Sequence, residues 1–249
     1  MEALFNISLP TSWQSLSDRQ LIFFFRQLSR NIPFPQILTL CLLRWGNLRI
    51  LGKQQDGNYL VKQRAKPKSE ATLSLRQIHD ATTSLAYLQT FPTTPVRMTT
   101  IGKAKAVQAD FQGVPFSTFI AVDNYYQGFL QTQQYDLLRQ AASLLYPNVT
   151  QKRLSTARCL GIFYWITALK QYLSRLFPHF LQSAPKESGN LLGSSNNETI
   201  RSAVNAQIRA LTGGDITKET AVLAMDTWRA LTELDAKASE AEKISAAHK

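Results

Sequence analysis

Between Phe116 and Leu181 the chain places 13 of its 25 aromatic residues, and apolar positions recur there at helical spacing. A helix buries one stripe of its surface, so apolar residues three and four apart mark a core-facing side. Phe119, Val122, Tyr126 and Phe129 form one stripe. Leu138, Ala141, Ala142 and Leu145 form a second, stopped by Pro147. Ile162, Ile166, Leu169, Leu173, Leu176 and Phe180 form a third. Such a segment predicts helices stacked on one another, with no strand pairing inside it.

The N-terminal third adds helices with marked starts. In Ser17-Asp18-Arg19-Gln20 the serine can accept from the Gln20 N–H while the glutamine reaches back to the cap, and Leu16 and Leu21 supply the flanking apolar contact. Leu21, Phe24, Phe25 and Leu28 continue the stripe. A second helix is expected from near Pro35, through Ile37, Leu38, Cys41, Leu42 and Trp45, to a stop at Gly46. Ser74-Leu75-Arg76-Gln77 repeats the capping signature with Leu73 and Ile78. Its stripe of Ile78, Ala81, Leu85 and Leu88 should end before Pro92. Between these helices the period changes. Leu48 to Leu51 and Asn58 to Val61 read as short strands around Gln55-Asp56-Gly57. Val96 to Val107 has extended character and is expected to form a small sheet, shared with that hairpin or separate. The fold class expected is mainly α, a helical bundle with a small β insertion near residues 48–107.

Charge narrows the partners. The chain carries 28 Lys/Arg against 17 Asp/Glu. Residues 1–186 hold 21 of the former and 8 of the latter, so the excess belongs to the body and not to the C-terminal part. A basic body suits an acidic partner, either nucleic acid or an acidic protein surface. The candidate residues are Lys62, Arg64, Lys66 and Lys68, read as a basic loop, together with Arg97, Lys103 and Lys105. Aromatic residues are sparse around them, only Tyr59 and Phe91 lying close in sequence, so a solvated basic face is the simpler reading. No helix-turn-helix or zinc-finger pattern supports specific readout.

Chemistry-bearing motifs are weak. His79, His179 and His248 stand at no metal-ligand spacing from one another or from a cysteine. Asp110 and Asp123 lie 13 residues apart with nothing to pair them. Gly213-Gly214-Asp215 lacks the Lys and Ser/Thr of a phosphate loop and follows a helix, so it reads as a helix stop and a new cap. No catalytic residue, metal or cofactor is expected, and the chain reads as non-enzymatic. Cys41 and Cys159 sit in apolar helical sequence and read as small core residues, although sequence leaves a disulfide between them open. The start of the chain lacks the pattern of a secretory signal. The longest apolar run, Cys159 to Leu169, has about half the length needed to cross a bilayer.

The expected organisation is a basic, mostly helical body over residues 1–182, a linker rich in Ser, Gly and Asn over 183–197, and a C-terminal helical pair over 198–249. The first helix of the pair is capped by Asn197 and carries Ile200, Val204, Ile208 and Leu211. The second is capped by Asp215 and carries Leu223, Met225, Trp228, Leu231 and Leu234, with fraying expected beyond Ala236. Trp228, Leu231 and Leu234 need cover, from the protein's own body or from another chain, and are the candidate partner-binding residues.

A likeness accompanies these features. Leu9-Pro10-Thr11-Ser12-Trp13 followed by Leu16-Ser17-Asp18-Arg19-Gln20-Leu21 resembles the start of uncharacterised proteins from prophage tail modules of gut bacteria. The block Phe116-Ser117-Thr118-Phe119-Ile120, with Tyr125-Tyr126 and Leu144-Leu145-Tyr146-Pro147, is similar to their middle, and Leu211 to Glu219 to their end. The resemblance covers most of the chain as a loose pattern and carries no functional residue with it. It implies tail assembly or tail structure, in the manner of a chaperone for a tape-measure protein. It also implies a host-cytoplasmic or particle-associated place and protein partners, with oligomerisation open. The alternatives are a nucleic-acid-associated protein using the basic body and a structural subunit of the particle.

Overall fold

The computed structural model describes residues 8–63, 70–182 and 197–247. Among these residues the protein is 63% helical, with ten α-helices and two small antiparallel sheets. The chain divides into two compact units, Met1–Pro92 with Thr156–Gly161, and Thr93–Ser155 with Ile162–Lys249.

In the first unit α1 (Asp18–Leu28) and α2 (Phe34–Trp45) pack together, and α2 also meets α3 (Leu75–Thr83). Both capping boxes form. Ser17 and Ser74 accept from Gln20 and Gln77 at 3.4 and 3.2 Å, and each glutamine accepts from the cap N–H at 2.9 Å. Trp13 anchors the core. Its ring meets Phe24, Phe25 and Tyr87, and its N–H is shared between the Tyr87 and Thr90 carbonyls, both at 3.1 Å. Two boundaries differ from expectation. The chain leaves α2 through Asn47 at φ 55°, while Gly46 stays right-handed, because asparagine tolerates that region. The stripe of the third helix is broken at Ser84, and a 3-10 turn over Ala86–Gln89 places Leu85 and Leu88 fully inside.

Strands β1 (Leu48–Lys53), β2 (Tyr59–Gln63) and β3 (Glu70–Leu73) form one antiparallel sheet in that order, with a register shift between Ile50 and Gly52. The third strand went unforeseen. Lys62, expected in a basic loop, lies on the central strand opposite Arg49 and Glu70.

The second unit begins with β4 (Thr100–Ile101) and β5 (Ala104–Lys105), a separate two-stranded sheet. There follow α4 (Phe116–Thr132), α5 (Tyr135–Leu145), α6 (Thr156–Leu176), α7 (Pro178–Gln182) and α8 (Asn197–Thr212). The first six residues of α6 count with the first unit. No strand occurs from Phe116 to Leu181. The stripes on α4 and α5 are buried throughout, and that on α6 is buried as far as Leu173. Leu176 is the exception at 42% exposure, because the helix ends there and Phe177 turns inward in its place. Trp165 is wholly buried against Phe111 and Tyr146 and donates to the Ala109 carbonyl at 2.8 Å.

Gly213 and Gly214 both take positive φ, 65° and 86°, and the Gly214 N–H returns to the Arg209 carbonyl, which stops α8. Asp215 caps a 3-10 turn over Ile216–Lys218. Hydrogen bonds from the Thr217 hydroxyl and N–H, together with Lys218, hold its carboxyl below its ordinary value. The single helix expected after Asp215 is two, α9 (Glu219–Ala224) and α10 (Thr227–Ala247), broken at Met225-Asp226. The second of them continues to Ala247, beyond the expected fraying point. The expected linker lies outside the described residues over 183–196. α8, α9 and α10 belong to the same unit as α4 and α5, because the loop before α4 clamps the break between α9 and α10.

Both cysteines are buried and neither is in a disulfide, and burial pushes the Cys41 thiol up to about 12. Since thiolate is the reactive form, neither should react with a maleimide at pH 8 in the native protein. Full labelling of both is expected in denaturant. Prompt labelling of Cys41 without denaturant would contradict its packing.

Candidate functional site

The second unit holds a cleft of about 660 Å³ between α4, α6, α7, α8 and α10. Phe119, Leu173, Phe180, Leu181 and Leu234 give it apolar walls, and Ala206 and Ala210 leave the α8 side open. Helical spacing explains the lining. Leu234 and Ala238 on α10 are four apart, as are Ala206 and Ala210 on α8, so each pair shares one face.

Three polar features interrupt the apolar wall. Asp123 and Lys170 pair directly across α4 and α6, and the Lys170 ammonium also lies 5.6 Å from the centre of the Tyr126 ring. Both members keep about a third of their side-chain surface, so the pair is a modest, salt-sensitive contact. Lys237 reaches from α10 to the Ala210 carbonyl at 2.7 Å and ties the rim together. Gln207 presents a buried Oε1 that finds no donor among the described residues. An unmet buried acceptor is unfavourable by about 1–3 kcal/mol, which an incoming donor would relieve.

Ser174 donates to the Gln171 carbonyl and so is not set against a base. Among the described residues no group of three His, Cys, Asp or Glu could hold a metal. His79 is exposed on α3, and His179 contacts Glu242 at 2.8 Å. What the cleft offers is shape, apolar surface, one ion pair and one unmet acceptor.

The expected site residues scatter. Leu234 lines the cleft, but Leu231 is wholly buried and Trp228 is covered by its own unit. The Trp228 ring packs on Tyr172 and Phe177, and its N–H donates to the Asp110 carbonyl at 2.7 Å. Around it, Thr227 donates its N–H and hydroxyl to the Val114 carbonyl, and the Phe116 N–H reaches the Met225 carbonyl. The Gly113 N–H reaches Asp226. The stripe is thereby engaged within its own unit, with Leu231 fully buried and Trp228 keeping part of its surface.

The basic set is divided between the two units. Lys62 is in the first unit, whereas Arg97, Lys103 and Lys105 are in the second, and Arg64, Lys66 and Lys68 lie outside the described residues. Arg97 is a brace. It donates to the Val107 carbonyl at 2.7 Å and lies 5.8 Å from the centre of the Trp165 ring. Lys103 and Lys105 are exposed on the small β4–β5 hairpin. Sequence reasoning missed Asp123, Lys170 and Gln207 as cleft residues. Only tertiary packing brings them together, and no spacing along the chain announces it.

No family model, curated protein or solved structure matches the chain. No described helix is long and apolar enough to cross a membrane.

Proposed function

We propose that the protein is a non-enzymatic assembly protein of phage-tail type that works by protein–protein contact. In this reading the cleft between α4, α6, α8 and α10 takes the apolar face of a partner helix. The cleft itself is the observation that carries the reading. It is apolar, open along the small residues of α8, and holds the unmet Gln207 acceptor, which calls for a partner bearing a hydroxyl or amide donor beside its apolar stripe. A tape-measure protein, long and helical, has that chemistry, and the sequence resemblance to prophage tail-module proteins points the same way.

The test is co-expression with the tape-measure protein of the same tail module. The unaltered protein is expected to keep that partner in solution as a complex. Ala210→Trp, which fills the cleft from its open side, should weaken the complex at least about tenfold while leaving the melting of the protein itself unchanged. Equal binding by the filled variant, or no complex at all, would sink the reading. Mass spectrometry of finished particles then separates the two roles, since an assembly protein is absent from them and a structural subunit is present.

A further inference from the structure

The first unit carries a second recess that the cleft does not involve. It lies where the start of α1 meets the end of α2, has a volume of about 600 Å³, and is lined in part by Arg19, Gln20, Arg26, Arg44, Trp45 and Asn47. Among the described residues no Asp or Glu lines it. Arg19, Arg26 and Arg44 are exposed, and their guanidinium groups make no ion pair or hydrogen bond among the described residues. Three uncompensated cations on one recess repel one another unless an anion is present.

The neutral groups carry the same sign of preference. Trp45 Nε1 is buried without an acceptor among the described residues. An indole N–H can only donate. Gln20 uses its oxygen to accept from the Ser17 N–H and hydroxyl at 2.9 and 2.8 Å, so its free end is the amide NH₂. The capping box that starts α1 therefore occupies the acceptor of a lining residue and leaves its donor end unused. Donors outnumber acceptors among the side chains of the recess, which is the arrangement that suits a ligand made of acceptor oxygens.

Two further facts select among anions. By sequence the first unit bears 12 Lys/Arg against 5 Asp/Glu, a surplus spread well beyond this recess, which favours a polyanion over a single small one. The recess is the size of a small-molecule pocket, large enough for a nucleotide or two of one strand and too small for a duplex. Ile22 and Phe23 add an apolar wall beside the cations, suited to a base face. We propose that the α1–α2 recess binds a single-stranded nucleic-acid segment, with Arg19, Arg26 and Arg44 on successive backbone phosphates and the Trp45 N–H donating to a phosphate oxygen. This goes beyond the apolar cleft and does not depend on it.

The test uses the full chain and a fluorescently labelled oligothymidylate, read by anisotropy across a salt series. Binding is expected to fall steeply with salt. The combined Arg19→Gln, Arg26→Gln and Arg44→Gln variant should lose at least about a hundredfold in affinity at low salt and flatten the salt slope by about 2, one increment of roughly 0.7 for each phosphate released. Trp45→Phe keeps an aromatic side chain, a smaller one, and removes the N–H donor, and should lose about tenfold. Lys103→Gln with Lys105→Gln is the control and should bind as the unaltered protein does. Thermal melts of the arginine variant should match, because its three side chains are exposed and unpaired. Unchanged binding in that variant overturns the proposal, as does the absence of oligonucleotide binding at low salt. Pyrophosphate competing as well as the oligonucleotide per phosphate would assign the recess to a small anion instead. Binding to phosphatidylglycerol vesicles without oligonucleotide binding would assign it to a lipid surface, and either result overturns the strand.

Discussion

Trp165→Ala is expected to lower the stability of the second unit by about 3–5 kcal/mol, the range for deleting a fully buried large aromatic. The side chain is wholly inside, flanked edge-on by Phe111 and Tyr146, and Arg97 lies against its ring. Removal would leave a cavity, free the Ala109 carbonyl of its donor, and strand Arg97 beside empty space. Phe111 sits at φ 67°, a conformation unfavourable for a bulky residue by about 1–2 kcal/mol, and packing against Trp165 helps hold it there. Since whole domains are stable by only about 5–15 kcal/mol, the variant should be close to unfolding at 37 °C. Urea unfolding followed by circular dichroism measures this. Trp165→Phe should recover most of the loss. A change under about 1 kcal/mol in the alanine variant would mean that the tryptophan is not at the centre of this core.

Trp228→Ala is expected to cost about 3 kcal/mol of fold stability while leaving the oligomeric state as it was. The residue is partly exposed, so its loss should be smaller than that of Trp165. Its ring contacts with Tyr172 and Phe177 and its hydrogen bond to Asp110 are all within the second unit. A thermal melt read together with size-exclusion elution distinguishes the outcomes. Altered elution with an unchanged melt would mean that the stripe is covered by another chain.

Local rules are legible in the sequence. Ser17 with Gln20 and Ser74 with Gln77 carry their geometry in four consecutive residues, and both boxes form. The stripes of α4 and α5 follow from a period alone. What escaped were features that depend on residues far apart. β3 is four residues long and owes its existence to β2. The break at Met225-Asp226 has no proline or glycine to announce it; Asp226 accepts locally from the Trp228 and Arg229 N–H groups, and the loop before α4 adds hydrogen bonds across the chain. The cleft of the second unit draws on five helices, and its ion pair joins residues 47 positions apart. Arg97 shows a related effect. Charge can be counted along a sequence, but Arg97 had been taken up by a carbonyl and a ring before any partner could use it.

The clamp between the loop before α4 and the start of α10 also sets an order of events during synthesis. Val114 and Thr227 are 113 positions apart, and Asp110 and Trp228 are 118. At a translation rate of about 5–20 residues per second, the second half of the clamp leaves the ribosome on the order of ten seconds after the first. Throughout that interval the N–H groups of Gly113 and Phe116 lack their acceptors, and the side of α4 that later faces α9 and α10 is uncovered. Contacts of such long range also form late in refolding, because loop closure must precede them. The nascent chain therefore passes through a stage in which an apolar helix surface is presented to whatever is being made nearby, and that surface closes only when residues 225–228 arrive.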